Sequence, residues 1–295
     1  GLFVEGDDGS FAAWDDVGGV DLATDGAALF AVTTGGAGDV VRYDDGARTV
    51  LVDDAALASA TGIDAGIGAD RPDRIAWIEA VAAAGGDVYF TAKIASATTA
   101  DLIDALLVSV PATGGAPVVR AHVDLRVDAI AAGVDGASIV VAGGGLSRFD
   151  VASGALAPFF DPVTAPRDDS VAAFDRAPLD VQTFLALDGG DVFFATGNGG
   201  AVARVPASGP WHVYDAVLPG HWDGPLAVTP AFVYWPSIGY DASSTSSLLR
   251  APRAGGDVEV ANDCVVGAAG VYADGAFLDV VTEQPAQLRR VPLPE

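Results

Sequence analysis

The sequence has too few cysteines for a disulfide or a metal–thiolate cluster. Cys264 is the only cysteine among 295 residues, which excludes an intramolecular disulfide and a zinc–thiolate cluster. Methionine is absent, and lysine occurs once, at Lys93. No apolar run reaches the length of about 18 residues that a membrane-spanning helix needs, so the sequence predicts no such helix.

Familiar catalytic signatures are also missing. The sequence contains no Gly-x-Ser-x-Gly, no His-Glu-x-x-His, no phosphate-binding loop and no EF-hand loop. We interpret Cys264 as a small buried hydrophobe in preference to a nucleophile. Because the chain begins at Gly1 with neither an initiator methionine nor a basic-then-apolar leader, we expect an exported protein, extracellular or periplasmic.

Charge is strongly one-sided. Asp and Glu number 40 against 15 Lys and Arg, which gives a formal net charge of −25. Such a polyanion repels nucleic-acid phosphates and anionic membranes, which argues against both as partners. The sequence therefore predicts a neutral or basic partner, either a protein or a small molecule. Solubility in a salty medium is the alternative interpretation of the same charge.

A phrase in two halves recurs along the chain. The first half is a tight turn before an apolar, often aromatic run. Its copies are Asp25-Gly26 before Leu29-Phe30, Gly86-Asp87 before Val88-Tyr89-Phe90, Asp135-Gly136 before Ser138-Ile139-Val140, Gly190-Asp191 before Val192-Phe193-Phe194, Pro230-Ala231 before Phe232-Val233-Tyr234-Trp235, and Asp274-Gly275 before Phe277-Leu278. Turns of this kind between short β-branched or aromatic runs indicate hairpins, here between the first and second strands of a sheet.

The second half of the phrase follows each turn with apolar residues, usually an arginine and often a proline. Its copies are Val41-Arg42-Tyr43, Val108-Ser109-Val110-Pro111, Ser147-Arg148-Phe149, Ala203-Arg204-Val205-Pro206, Leu249-Arg250-Ala251-Pro252 and Arg289-Arg290-Val291-Pro292. We expect these residues on the third strand of each sheet, with proline closing the strand. Six copies at a period of about 50 residues predict an all-β fold: one six-bladed β-propeller of four-stranded blades, spanning residues 1–295.

The blades are expected at about residues 18–54, 74–124, 126–162, 179–218, 223–262 and 264–293. The last of these runs out of chain after its third strand. We expect the N-terminal strand, about residues 2–5, to complete it and close the ring. Three long connections, 54–73, 161–178 and 236–246, would share one face with the mouth of the central channel, which makes that face the candidate functional surface.

The repeats resemble those of the six-bladed, TolB/YWTD-like secreted bacterial propellers. Val233-Tyr234-Trp235 with Leu249-Arg250-Ala251-Pro252, and Val88-Tyr89-Phe90 with Val110-Pro111, follow that pattern, although Pro236 and Thr91 break the Tyr-Trp-Thr-Asp tetrad. The resemblance implies export and the binding of a ligand or protein. A similar group, the calcium-dependent lactonases, holds its metal with Glu, Asn and Asp of inner strands. Here the only asparagines, Asn198 and Asn262, are assigned to outer parts of blades, which argues against that group.

Acidic residues recur where inner strands begin, at Asp21, Asp128, Asp180, Asp223 and Asp263. Carboxylates at the mouth of a shared channel could converge on one cation, and calcium accepts such hard oxygen ligands. The alternative is that Asp stands at turns because it hydrogen-bonds its own backbone there. The recurring arginines, in contrast, are interpreted as structural, since their register spaces them around the ring.

The densest candidate for ligand binding is His221-Trp222-Asp223, expected on a connection to an inner strand and joined on the same face by Tyr240 and Asp241. Histidine titrates near neutrality and tryptophan offers a stacking surface. A structural role and catalysis remain alternatives for this triplet. The leading hypothesis is an exported, non-enzymatic propeller that binds a protein or a small neutral or cationic ligand. A calcium-dependent hydrolase or lyase, and a subunit of an extracellular assembly, are its rivals.

Overall fold

The structure is a computed structural model of the chain. It describes residues 2–5, 11–15, 19–33, 38–44, 47–62, 74–133, 135–162, 164–166, 184–195, 201–216, 221–223, 226–239, 247–262, 268–274, 277–283 and 286–292. The chain divides into two compact units, Gly1–Phe159 and Phe160–Glu295. Within the described ranges, no helix has the length and apolar character needed to cross a membrane.

Nearly all described elements are β-strands. In the first unit, the strands and the helix α1 are β1 (Leu2–Glu5), β2 (Phe11–Asp15), β3 (Gly19–Thr24), β4 (Leu29–Thr33), β5 (Val40–Asp44), β6 (Ala47–Val52), α1 (Asp54–Thr61), β7 (Arg74–Ala84), β8 (Asp87–Ser96), β9 (Leu102–Pro111), β10 (Val118–His122), β11 (Ala129–Ala132), β12 (Ser138–Ala142), β13 (Leu146–Asp150) and β14 (Leu156–Phe160), whose last residue opens the second unit.

The second unit is built in the same way. Its strands are β15 (Phe184–Asp188), β16 (Asp191–Ala195), β17 (Ala201–Val205), β18 (His212–Ala216), β19 (His221–Asp223), β20 (Ala227–Val228), β21 (Phe232–Gly239), β22 (Ser247–Pro252), β23 (Glu259–Asn262), β24 (Ala268–Asp274), β25 (Phe277–Glu283) and β26 (Ala286–Pro292).

These strands form antiparallel sheets in which chain neighbours pair. Among the described residues, four sheets have four strands: sheet 1 (β3–β6), sheet 2 (β7–β10), sheet 3 (β11–β14) and sheet 4 (β15–β18). Sheet 5 (β19–β23) has five strands, sheet 6 (β24–β26) has three, and β1 and β2 form a separate pair. The all-β prediction is confirmed, and the sheets follow the expected blade ranges closely.

The recurring phrase occupies the positions expected of it. Each first half lies at the turn before the second strand of its sheet, or before β21 in sheet 5, and each second half lies on the third strand or, in sheet 5, on β22. The turn glycines of sheet 2, Gly85 and Gly86, have φ of 60° and 85°, and the turn of sheet 4 repeats this pattern at Gly189 and Gly190. Two successive positive φ angles define a type I′ turn, which matches the twist of the strands it joins.

Apolar side chains fill the spaces between successive sheets. One core packs Phe30 and Val32 of sheet 1 against Val88 and Phe90 of sheet 2. A second lies between sheets 2 and 3, and a third in the second unit packs sheet 4 against sheet 5, with Trp235 fully buried in it. Within the first unit sheets 1–3, and within the second unit sheets 4 and 5, thus bury faces against one another, as repeat architectures require.

One helix was not anticipated, because residues 54–73 were expected to be a long connection. Asp53 caps α1, since its Oδ1 accepts a hydrogen bond from the backbone N–H of Ala56 at 2.8 Å. Gly62 ends the helix with a φ of 65°, and Leu57 is fully buried in the core shared by sheets 1 and 2. The Asp cap and the terminal glycine were readable as helix signals, but the segment offers only this one large core residue.

The N-terminal strand has one described pairing, with β2, and its expected place in the last blade stays a prediction. Residues 2–5 were expected to complete the last blade, whereas β1 pairs with β2, with Glu5 opposite Phe11. A neighbouring strand joined by a short connection needs little loop closure, which favours the local partner. Sheet 6 has three strands among the residues described, in line with the expected lack of an outer strand. Closure of a ring is not established by these pairings.

Candidate functional site

A group of charged side chains in the first unit lies around a β-bulge in β7. Glu79 and Ala80 together face Thr91 of β8, because the register shifts between Ile78 and Val81. The bulge takes two backbone N–H groups out of the ladder. Ala80 N–H donates to the hydroxyl oxygen of Thr91 at 3.2 Å, and Val81 N–H donates to Oδ2 of Asp21 in sheet 1 at 2.8 Å.

The only lysine of the chain lies beside this bulge. Lys93 Nζ donates a hydrogen bond to Oδ1 of Asp128 in sheet 3 at 2.7 Å, and it stands 2.6 Å from Oε2 of Glu79 in a close ion pair. The Lys93 side chain is only 7% exposed, whereas those of Glu79 and Asp128 are 30% and 20% exposed. One buried ammonium therefore joins two acidic side chains that are partly exposed.

Burial and pairing act on these groups in opposite directions. Desolvation raises the pKa of Glu79, although Lys93 opposes the shift. Desolvation lowers the pKa of Lys93, but the hydrogen bonds and charges of Asp128 and Glu79 outweigh it and leave the pKa above its ordinary value. The lysine is therefore held as an ammonium, which suits a fixed positive charge and not a nucleophile.

Asp21 lies one sheet away from this ion pair, on β3. Its Oδ1 accepts a hydrogen bond from the N–H of Leu22 at 2.9 Å, while its Oδ2 accepts from Val81. Burial raises its pKa to about 6, although the two backbone bonds oppose the shift. Asp21 of β3, Glu79 of β7, Lys93 of β8 and Asp128, which directly precedes β11, form a set of charged side chains across sheets 1–3, which we call the polar row.

The structure tests the expected calcium ligands only in part. Asp21 and Asp128 belong to the polar row, where backbone N–H groups and an ammonium engage them. Among the described residues, no group of three or more His, Cys, Asp or Glu side chains could hold a metal ion. Asp180 and Asp263 lie outside the described residues, and Asp223 is placed by its backbone alone. The calcium site stays a prediction that depends on those three.

The triplet His221-Trp222-Asp223 forms a strand, β19, where a connection was expected. It pairs with the end of β21, with His221 opposite Gly239 and Asp223 opposite Ser237. This backbone pairing sets the triplet at the end of sheet 5 from which the chain continues to Tyr240 and Asp241, which lie outside the described residues. Trp222 favours a strand, and Gly224-Pro225 follows it in the sequence before β20 begins.

Two of the recurring arginines, Arg42 and Arg204, make hydrogen bonds to a neighbouring sheet, which fits the structural interpretation. Arg42 Nη1 donates to the carbonyl oxygen of Ala112 in the next sheet at 3.3 Å, and Arg204 Nη1 donates to that of Arg253 at 3.2 Å. Each of these carbonyl oxygens belongs to the residue that directly follows the proline of the recurring phrase in the next sheet. Arg148 instead lies over the ring of Phe159, with 4.8 Å from its Cζ to the ring centroid.

Sheet 2 lacks this arginine and replaces it from another strand. Ser109 stands at the arginine position, and Arg120 of β10 donates from Nε to its hydroxyl oxygen at 2.8 Å. Arg120 Nη2 also reaches Oδ2 of Asp87 at 3.3 Å. In sheet 4 the third-strand Arg204 makes the corresponding contact, 2.7 Å from Asp191. Sheet 2 therefore keeps an arginine–aspartate ion pair at its turn, although its arginine comes from the fourth strand and not from the third.

Sequence reasoning missed Glu79 and Lys93 as members of a site. The available signal was local: Lys93 interrupts the otherwise apolar second half of β8, and Glu79 interrupts the apolar run of β7. Charged residues inside buried strands need partners, so each predicts the other. Their pairing with Asp128 depends on the approach of sheet 3, which no local pattern indicates.

Comparison with known proteins bears on the fold. No protein-family model matches the sequence, and no curated protein matches it. Among solved structures the chain is similar to an ancestral GH74 enzyme, at 12% identity over 94% of this chain and 43% of that one, with a TM-score of 0.57.

Two propeller domains are similar over most of their length. The β-propeller domain of the Trilobed protease from Pyrococcus furiosus is 9% identical over 94% of this chain and 86% of that one, with a TM-score of 0.54. The β-propeller domain of Cps50 (Swd1) from Myceliophthora thermophila is 10% identical over 94% and 97%, with a TM-score of 0.50. These likenesses support a β-propeller fold. The narrower resemblance to TolB/YWTD-like propellers stays a prediction.

Proposed function

We propose that the protein is an exported, non-enzymatic β-propeller that binds a neutral or basic partner at a surface that includes the polar row. The proposal rests on the observation that the basic side chains bind acidic side chains within the protein. Described arginines and the lysine are engaged within the protein, in pairs such as Arg42 with Asp44, Arg204 with Asp191 and Arg250 with Glu259. A cation committed to an internal acid offers little to an anionic ligand.

Acidic side chains outnumber the basic side chains that could pair with them. Asp and Glu exceed Lys and Arg by a net charge of 25, and Glu79 and Asp128 keep part of their side chains in solvent although Lys93 joins them. A basic group that approaches the polar row meets two carboxylates and one buried ammonium, and the field of the whole chain attracts it. An anionic ligand meets the opposite field without a described arginine cluster to help it.

The ligand residues expected in the second unit are a separate part of the proposal. His221, Trp222 and Asp223 form β19 of sheet 5, and Tyr240 and Asp241 directly follow β21 in the sequence. Stacking on Trp222 together with nearby carboxylates would suit a cationic or sugar-like ligand, or a basic side chain of a protein.

A peptide-binding experiment tests the proposal. Fluorescence anisotropy with labelled pentalysine and pentaglutamate, at low and at high NaCl, should show binding of pentalysine that weakens as salt rises, and no binding of pentaglutamate. In the double variant Glu79→Gln/Asp128→Asn, the pentalysine affinity should fall by roughly fivefold or more.

The matched control removes the same charge elsewhere. Asp135→Asn/Asp257→Asn alters two exposed acids outside the polar row, and its pentalysine affinity should change by less than about twofold. Lys93→Gln raises the negative charge of the row and, at a temperature where this variant is folded, should strengthen binding, which gives a test of opposite sign. Equal losses in both double variants, or preferred binding of pentaglutamate, would contradict the proposal.

We further propose that sheets 1–6 are the blades of one ring closed by the N-terminal strand. Six successive sheets and propeller-like solved structures support it, whereas the pairing of β1 with β2 and the open velcro topology described for the Trilobed protease propeller offer the alternative. Cysteines at Phe3 and Leu288, in a Cys264→Ser background, should form a disulfide in the closed arrangement. If this disulfide does not form, and cysteines placed at Val4 and Ala12 do form one, the open arrangement is favoured.

A further inference from the structure

Sheet 2 is longer than the neighbouring sheet 3. Its strands β7, β8 and β9 have 11, 10 and 10 residues, whereas the strands of sheet 3 have four or five. The hairpin turns of the two sheets lie side by side, since a Cβ added to Gly136 would be 3.5 Å from the backbone nitrogen of Gly85. The extra length therefore lies at the opposite end of sheet 2. We call this part, residues 74–78, 92–96 and 102–105, the extension.

One face of the extension is covered by the core that sheets 1 and 2 share. Ala76, Ile78 and Ile94 belong to that core and are 4% exposed or less. Because side chains alternate between the two faces of a strand, Ile75 and Trp77 of β7 lie on the opposite face. Both of these side chains are only half-buried.

Cross-strand pairing continues this second face onto β9. Ile75 lies opposite Ala95, which in turn lies opposite Leu102. Leu102 is 37% exposed, and Ile103, beside it in an irregular step of the ladder, is 43% exposed. We call the four large apolar residues at this place the ledge: Ile75, Trp77, Leu102 and Ile103.

The charged side chains at the centre of the polar row lie beside the ledge. Trp77 is the cross-strand partner of Lys93, and Glu79, two residues further along β7, is 2.6 Å from the same ammonium. Asp128 reaches that ammonium from sheet 3 at 2.7 Å. Two carboxylates against one ammonium leave negative charge in excess, next to an apolar surface that includes an aromatic ring.

We propose that the ledge binds apolar residues that flank a basic group of a protein partner, while the basic group itself lies against Glu79 and Asp128. This role of the ledge rests on the proposed function and names its partner more narrowly, as a basic polypeptide segment with an apolar flank. A cation beside Trp77 gains from the ring face, and the flank gains from removing Leu102 and Ile103 from water.

Charge distinguishes this occupant from the two others that an apolar surface could take. A second copy of the chain would bring a net charge of −25 to a surface that is already negative, which opposes association. An uncharged apolar segment would gain nothing from the carboxylates. A basic segment with an apolar flank uses both parts of the surface.

Three labelled peptides, acetylated and amidated at their ends, test the ledge by fluorescence anisotropy at low NaCl. Leu-Leu-Lys-Lys-Lys should bind roughly tenfold more tightly than Gly-Gly-Lys-Lys-Lys, which carries the same charge. Leu-Leu-Ser-Ser-Ser should bind more weakly than either. In ¹H–¹⁵N spectra, the indole N–H of Trp77, assigned with Trp77→Phe, should shift more with the leucine-containing basic peptide than with the glycine-containing one.

Leu102→Ser/Ile103→Ser removes the exposed part of the ledge without a change of charge. The tenfold preference should fall to about twofold or less, while the affinity for Gly-Gly-Lys-Lys-Lys stays within about twofold of wild type. The matched control is Val50→Ser/Val260→Ser, which alters two side chains outside the ledge that are 42% and 57% exposed. This control should keep the full preference.

The outcomes separate the ledge from the proposed function. If both basic peptides bind equally well, or both double variants lose the preference equally, the ledge is overturned and the binding of a basic partner stands. If neither basic peptide binds, both proposals fail. Equal affinity for Leu-Leu-Ser-Ser-Ser and Leu-Leu-Lys-Lys-Lys would overturn the basic partner of the ledge. A wild-type dimer in sedimentation that Leu102→Ser/Ile103→Ser dissociates would assign the ledge to a second copy and overturn the proposal.

Discussion

Arg204 donates a hydrogen bond from Nη1 to the carbonyl oxygen of Arg253, the residue that follows the proline of the next sheet's phrase. Arg42 makes the same contact with Ala112 between sheets 1 and 2. The repeated arginine and proline therefore have complementary roles. The proline ends a strand and leaves the next carbonyl outside the ladder, and the arginine of the preceding sheet binds that carbonyl.

Replacing Arg204 with lysine should weaken the junction between sheets 4 and 5. Arg204 also donates from Nε to Oδ2 of Asp191 at 2.9 Å, and lysine cannot reproduce a fork of donors in two directions. We expect the free energy of unfolding to fall by about 1–2 kcal/mol in urea denaturation. Arg148→Lys is the control, because the Phe159 ring is the contact described for it. Equal losses in the two variants would show that the inter-sheet bond adds nothing.

Loss of the buried ammonium should be severe. In Lys93→Met, two carboxylates from neighbouring sheets remain close together without a cation, and we expect a loss of about 3–5 kcal/mol in the free energy of unfolding. The triple variant Lys93→Met/Glu79→Gln/Asp128→Asn removes the uncompensated charges and should recover most of that loss. If the triple variant is no more stable than the single one, the cost lies in packing and not in charge.

The sequence predicted the sheets well because their signals are local and repeated. Turn glycines at Gly85-Gly86, alternating apolar strands and a terminal proline each fix part of a blade without reference to its neighbours. The polar row was not predicted as a unit, although Asp21 and Asp128 were recognised as candidates. Its assembly depends on a bulge of β7 and on the approach of three sheets, which are non-local properties.

Unfolding should depend on pH through Asp21. Its pKa is raised in the folded state from 3.8 to about 6, so the native protein binds a proton that the unfolded chain releases in this window. The contribution of Asp21 to stability is therefore present below the lower value and is lost as pH rises through about 6. The stability of wild type relative to Asp21→Asn should fall between these pH values by about 3 kcal/mol. A constant difference across the window would contradict the assignment.

Substitution of the buried Trp211 and of Trp222, a proposed ligand residue, should have different effects. Trp211 is 1% exposed, and its ring packs edge-on against Phe160 with centroids 5.4 Å apart. Trp211→Ala should therefore cost about 3–5 kcal/mol of stability through the cavity it leaves. Trp222→Ala is expected to weaken ligand binding at a temperature where both variants are folded. Thermal unfolding and peptide anisotropy on the same samples separate the two effects, and a binding loss that follows only stability would remove Trp222 from the proposed site.

The most direct test of the proposed function is to locate a bound basic peptide on the protein. We would titrate ¹⁵N-labelled protein with pentalysine and follow the backbone amide shifts. The largest changes should occur around the polar row, at Leu22, Glu79, Lys93 and Asp128, and should disappear as NaCl is raised. Shifts spread evenly over exposed acids such as Asp257, with no preference for the row, would contradict the proposal that this surface selects the partner.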